Sequence, residues 1–383
     1  MKILSFFLCL LLLTGCANTE ETVPTTLPVA DVTTTQPAVT METTLPETEP
    51  VDPIGELMGQ MSLEERVGQL FLARCDASVA EIHAGEYHLG GYVLFGRDFE
   101  NETPDSLRRN LSRYQSAAKI PLLIAVDEEG GTVTRASRYP AFRSHPFPSP
   151  RESFHSGGME MALSNEEDIC VLLSDLTINV NLGPVCDITT DPDAFMYPRS
   201  LGQSPEITAD FISRTVAIMD SCHIGSALKH FPGYGNNTDT HTGIAVDSRS
   251  LEELEGYDLI PFAAGIEAGC GAIMVSHTFI QALDTELPAS LSPVVHQYLR
   301  RNMGFEGVII TDDLVMQAIT DLYGAGEAAV LAVLAGNDLL CSTDYIPQYE
   351  AVLAAVMDGR IDMDTLDNAV RNVLEWKQDL GLI

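Results

Sequence analysis

Basic residues are scarce in this 383-residue chain: 21 Lys and Arg stand against 55 Asp and Glu, a formal net charge of −34. Such a balance repels phosphate backbones and anionic bilayers, which argues against nucleic acid and against flat adsorption to a membrane as modes of binding. It places no constraint on a small neutral substrate. No CxxC pair and no Cys/His pattern with metal-ligand spacing occurs, so no metal is expected. No GxGxxG follows a first strand, and no metal, nucleotide or redox cofactor is implied. The N-terminal apolar run from Ile3 to Leu13 is too short to cross a bilayer.

What that run does fit is an export signal. Lys2 supplies a positive start, Ile3 to Leu13 the apolar core, and Leu13–Thr14–Gly15–Cys16 the cleavage site. A Cys directly after Leu-Thr-Gly resembles a bacterial lipobox, which implies that Cys16 becomes the lipidated N-terminus on the extracytoplasmic face of the membrane. Residues 17–52, rich in Thr, Pro, Glu and Val, have no helical or strand period and too little apolar surface to offset their ordering entropy. They are expected to be an extended tether. Residues 53–383 form the body, and its cysteines, Cys75, Cys170, Cys186, Cys222, Cys270 and Cys341, are dispersed as buried free thiols would be.

Within the body Ser62–Leu63–Glu64–Glu65 is a capping box, which predicts an opening helix through Val67–Gly68–Gln69–Leu70–Phe71. Short apolar runs then alternate with helical-length segments: 91–95, 121–127, 180–187, 226–230, 272–277 and 308–313, with 335–340 as a last strand. Continuous apolar strands between helices predict a parallel sheet covered on both faces. Nearly every run ends in a polar or ionisable residue. That distribution favours an α/β fold of the (β/α)8 TIM-barrel type, whose active site draws on the C-terminal ends of several strands, over an open sheet with one switch point.

Two stretches concentrate the chemistry. The run Ser226–Ala227–Leu228 delivers Lys229 and His230 to a strand tip, and the Gly/Asn-rich loop that follows carries Asp239 and His241 two residues apart. A carboxylate so placed can hold the imidazole's tautomer and orientation. Gly307–Val308–Ile309–Ile310–Thr311–Asp312–Asp313 repeats the pattern with a strand that ends in carboxylates. Successive strand residues face opposite sides, so only one of Asp312 and Asp313 points into the mouth.

Six blocks in order resemble glycoside hydrolase family 3, and its β-N-acetylglucosaminidase branch in particular. They are Met61–Phe71, Asp127–Glu128–Glu129–Gly130–Gly131, Pro198–Arg199–Ser200–Leu201–Gly202, Lys229–His230–Phe231–Pro232–Gly233, Leu287–Ser292 and Thr311–Asp312–Asp313–Leu314–Val315–Met316. The resemblance implies a single catalytic barrel and a retaining glycosidase working by double displacement, with Asp312 matching the nucleophile. Asp239 and His241 match a dyad in which His replaces the usual carboxylic acid. An unperturbed imidazole titrates near pH ~6.5 and can both give and take the proton. A His also avoids packing a second carboxylate at roughly 5 Å from the nucleophile. Asp127, Arg135, Arg199, Lys229 and His230 match residues that hold sugar hydroxyls. Asp187 and His277 also stand at strand ends, where a structural role is equally consistent.

The chain departs from the family pattern after Phe231–Pro232–Gly233. Tyr234 replaces the usual His, Asn236–Asn237 replace Asp-Thr, and the loop is one residue shorter, which bears on loop reach and leaving-group preference. The expectation is a monomeric, lipid-anchored exo-β-N-acetylhexosaminidase that removes terminal N-acetylglucosamine from small oligosaccharides or muropeptides. The alternatives are a family 3 β-glucosidase or β-xylosidase, a glycoside phosphorylase, and a non-catalytic glycan-binding lipoprotein. The first alternative takes its acid from a second domain, for which a chain ending at Ile383 leaves no room.

Overall fold

A computed structural model of the chain describes residues 52–235 and 243–383. The expected leader, Cys16, most of the tether, and the Asp239–His241 pair lie outside the described residues. The body, Asp52–Ile383, contains eight parallel strands: β1 (Phe71–Arg74), β2 (Gly91–Leu94), β3 (Leu123–Val126), β4 (Val180–Asn181), β5 (Gly225–Phe231), β6 (Ala272–Val275), β7 (Val308–Thr311) and β8 (Leu340–Ser342). β1 to β7 pair successively in chain order, and β8 pairs with β1 through Phe71↔Leu340. Between β7 and β8 the ring closes through the Asp338 and Leu339 amides, which donate to the Ile309 carbonyl at 2.9 and 3.1 Å. The fold is the expected (β/α)8 barrel.

Alternation along each strand sorts side chains into two layers. Leu72, Val93, Leu123, Ala125, Val180, Ala227, Ala272, Met274, Val308, Ile310 and Cys341 fill the barrel interior. Their neighbours Tyr92, Leu94, Ile124, Val126, Ile273, Val275 and Ile309 pack against the surrounding helices. Carried along the strands to their C-terminal ends or one step beyond, the interior parity reaches Arg74, Phe95, Asp127, Lys229, Asp312 and Thr343. The polar mouth is the continuation of the apolar core.

The C-terminal helix Met363–Asp379 closes the opposite end. Trp376 lies with Val373 in the interior cluster. A Cβ at Gly271, just before β6, would stand 2.1 Å from the Trp376 indole nitrogen, so only glycine permits this approach.

Three sequence expectations shift. The opening helix ends at Gln69, and Phe71 starts β1 instead of ending the helix. No turn residues separate the two elements, so the helix pattern runs visually into a strand of four residues. Ala335 ends the helix Ala325–Ala335, with Gly336 left-handed at φ 107° as its cap, and the last strand begins only at Leu340. The 180–187 run keeps just two strand residues, because the Asn181 side chain bonds the backbone of Glu128 and Pro184 has no amide to pair. The six cysteines of the described residues are free, five of them buried.

Candidate active site

The strand ends converge on a cavity of about 820 Å³. Interior residues Val93, Leu182, Met274 and Cys341 line its apolar part, and Arg74, Asp127, Arg135, Arg199, Lys229, His230, Asp312 and Asp313 its polar part. Five of the eight residues expected to act here are therefore joined around one space with Asp312; Asp239 and His241 are the two that fall outside the described residues.

Lys229, buried at the end of β5, is the hub. Its Nζ donates to Asp127 Oδ1 at 2.6 Å and lies 2.6 Å from Glu129 Oε1. Arg199 grips Glu129 with two bonds, Nε to Oε2 at 2.9 Å and Nη2 to Oε1 at 2.7 Å. Burial disfavours the Glu129 charge, but Arg199 and Lys229 outweigh it and hold the carboxyl far below the usual carboxylate range. Burial likewise works against the Lys229 ammonium, and Asp127 with Glu129 turns the balance so that its pKa is raised. All three stay ionised through neutral pH.

His230 continues the network. Arg199 Nη2 sits 3.1 Å from His230 Nε2, and Asp187 Oδ2 sits 2.8 Å from Nδ1. A guanidinium only donates, so Nε2 accepts and Nδ1–H donates to Asp187. The His230 amide donates to the same carboxylate oxygen at 3.0 Å, and the Tyr234 amide to the other at 2.7 Å. Asp187 thus orients His230 and ties down the chain beyond it, the structural role left open for it.

Parity separates the two carboxylates after β7. Asp312 carries the interior parity of Val308 and Ile310; its Oδ1 accepts the Asp313 amide at 2.8 Å. Both Asp313 oxygens are engaged elsewhere: Oδ1 accepts from the Thr343 and Val315 amides at 3.1 and 3.2 Å, and Oδ2 from Thr343 Oγ1 at 2.5 Å. Asp313 fastens the β7 loop to the β8 loop. His277 does comparable work, donating from Nε2 to the Asp313 carbonyl at 3.0 Å and accepting at Nδ1 from Ser290 Oγ at 2.7 Å.

Sequence reasoning missed three residues here. Glu129 and Glu128 stood inside a recognised block without an assigned part. Glu128 Oε2 accepts the Arg135 and Ala136 amides at 2.9 and 2.8 Å, and Oε1 accepts Ser137 Oγ at 2.5 Å, which shapes the loop that presents Arg135. Arg74 lies with its guanidinium 4.3 Å from the Phe95 ring centroid, and Arg135 approaches the same ring at 5.6 Å. A β1 strand correctly placed would have put Arg74 at a strand end.

Glu129 also acts at a distance on Glu166, buried in the helical segment Pro150–Asp175, whose carboxyl is pushed up to about 8 by burial and by the Glu129 charge. A carboxyl raised on folding stabilises below its unfolded value and loses that contribution as pH rises through the folded one. Unfolding free energy should therefore fall by on the order of 4 kcal/mol between pH 4.5 and 8.5 at this site. Denaturant titrations across that range should show Glu166→Gln removing most of this decline.

A cavity lined by several ionised hydrogen-bond donors together with the Asp127 and Asp312 carboxylates suits a polyhydroxylated substrate. Residues 62–376 match the family profile described as Glycosyl hydrolase family 3 N terminal domain. The chain belongs to glycosyl hydrolase family 3. As a family 3 protein it is a glycoside hydrolase, and curated relatives support that at about one residue in three. Beta-hexosaminidase A of Pseudoalteromonas piscicida is 30% identical over 322 residues, 77% of this chain and 54% of that protein, so the chain spans about half the length of that relative. Beta-hexosaminidase LpqI of Mycobacterium tuberculosis is 29% identical over 329 residues, 83% of each protein. Among solved structures, a family 3 beta-N-acetylglucosaminidase from Paenibacillus sp. str. FPU-7 superposes with a TM-score of 0.77 at 33% identity, over 84% of this chain and 63% of that one.

Proposed function

We propose that this family 3 enzyme is a retaining exo-β-N-acetylhexosaminidase. The observation that carries the reading is the placement of Asp312 on the interior parity of β7, facing a cavity whose β3–β5 side carries the Asp127, Lys229, Glu129, Arg199 and His230 network. The terminal sugar binds with its hydroxyls against Asp127, Arg135, Arg199, Lys229 and His230. Asp312 attacks the anomeric carbon while the bond to the leaving oxygen breaks, and His241, oriented by Asp239, gives that oxygen its proton. In the second step His241 takes a proton from water as the water attacks the same carbon and releases Asp312. No metal or organic cofactor enters either step. The relatives' names support an N-acetylated sugar, and the lipobox-like Cys16 supports anchoring outside the cytoplasm, where cell-wall fragments and amino-sugar oligosaccharides are the natural substrates.

The test compares 4-nitrophenyl β-glycosides of N-acetylglucosamine, glucose and xylose with the full chain. Release from the N-acetyl sugar at least about 100-fold faster than from the others supports the reading, a preference worth roughly 2.7 kcal/mol in the transition state. Equal or greater glucoside turnover overturns the substrate assignment. No turnover of any of them revives a glycan-binding role.

A further inference from the structure

Four cationic side chains line the cavity, and three of them have carboxylate partners. Lys229 meets Asp127 and Glu129, Arg199 grips Glu129, and Arg135 Nη2 lies 3.7 Å from Asp127 Oδ2. Arg74 is the fourth. Among the described residues its guanidinium has no hydrogen-bond acceptor and no ion-pair partner, and its Nε is buried without one. What it meets is an aromatic face: its Cζ stands 4.3 Å from the Phe95 ring centroid, with Arg135 at 5.6 Å from the same ring.

The placement follows from the barrel. Leu72 fills the interior while Phe71 and Ala73 pack outward, so Arg74 at the end of β1 takes the inward parity. β1 and β5 are four strands apart in a ring of eight, which sets Arg74 across the cavity from Lys229. A sugar with its hydroxyls against Lys229, Arg199 and His230 therefore turns its far edge to Arg74. The group it presents there must be an acceptor, because a guanidinium has five N–H donors and accepts nothing. Charge decides which kind. Burial pushes the Asp98 carboxyl up, and the Arg97 and Arg74 charges pull against it, so Arg74 already has an acidic group in its field. That carboxyl spends Oδ2 on the Phe95 amide at 2.8 Å and gives Arg74 no hydrogen bond. Arg74 lacks acceptors more than it lacks counter-charge, which favours a neutral hydroxyl over an anion. An arginine stacked on a ring is often only packing. This one differs because a bound substrate strips water from N–H groups that no protein oxygen then satisfies, a cost that only the sugar can remove.

We propose that Arg74 contacts the bound sugar directly, donating to a hydroxyl on the edge of the ring that faces away from β5, and so helps set which terminal sugars are accepted. The inference rests on the glycosidase reading above. The full-chain enzyme and its Arg74→Met variant are compared for kcat/KM on 4-nitrophenyl β-N-acetylglucosaminide and its 3-, 4- and 6-deoxy analogues, with thermal midpoints recorded. Methionine keeps an unbranched stem against Phe95 and has no donors. A charged donor on a hydroxyl predicts that Arg74→Met loses about 10- to 100-fold on the fully hydroxylated sugar. On one deoxy analogue that loss should vanish, because the group Arg74 would hold is already gone, while the other two analogues keep it in full. Arg74→Lys retains the charge without the fork and should lose less on the same substrates; it carries the comparison if the methionine variant does not fold. Equal losses on all four sugars, as a packing role would give, or no loss on any, overturn the proposal. An enzyme that turns over the glucoside and not the N-acetyl sugar overturns the substrate reading alone, and the same comparison on deoxyglucosides then decides Arg74 by the same two outcomes.

Discussion

Asp312→Ala should lower kcat by about 10⁴-fold or more on every glycoside, activated aryl leaving groups included, with the fold retained. Leaving-group activation cannot rescue it, because what is lost is the atom that forms the bond to the sugar. The parity of β7 is why the prediction falls on this residue. Val308 and Ile310 point into the barrel, so Asp312 does too, while Ile309 packs outward against the helices. Asp313→Ala should behave differently. Its oxygens bind Thr343 and Val315, so its loss should lower the thermal midpoint and reduce kcat only through loosened loops. Circular dichroism with steady-state kinetics on both variants separates the two outcomes.

Glu129→Ala should be nearly as damaging by another route. The carboxylate is buried between Arg199 and Lys229, and its removal leaves the two cations facing each other with only the Asp127 carboxylate, bonded to Lys229, to offset them. Breaking one partner out of a buried cluster costs about 3–5 kcal/mol. Unlike Asp312→Ala, this variant should show a large drop in stability by denaturant titration. Its kcat/KM should fall by about 100- to 1000-fold, since Lys229, Arg199 and His230 all lose their registration to one another. Glu129→Gln keeps the shape without the charge and should fall between the variant and the parent in both measurements.

How much of this was legible in the sequence follows from what kind of signal each part leaves. The barrel was legible because buried parallel strands read as apolar runs, and six of the eight stood between turn or cap residues that mark their ends. β1 was not legible, since Phe71–Leu72–Ala73–Arg74 follows the helix at Gln69 with only Leu70 between them. Losing β1 concealed Arg74. The carboxylate after β7 was legible as a pair, and strand alternation stated that one member faces the mouth; the family resemblance singled out Asp312, which shares the parity of the interior neighbours Val308 and Ile310. Asp127, Arg135, Arg199, Lys229 and His230 were legible only through motif resemblance, as they are separated by up to 103 residues along the chain. Glu129 left no such trace. Its importance comes from two partners, 70 and 100 residues away, that meet it only when the barrel closes.

The most direct test of the mechanism is to trap the glycosyl-enzyme with a 5-fluoro aryl β-N-acetylglucosaminide, digest the protein, and locate the added sugar mass by peptide fragmentation. The account predicts one sugar per enzyme, attached at Asp312. A label on Asp313, or steady turnover with no covalent species under conditions that trap retaining glycosidases, would contradict it.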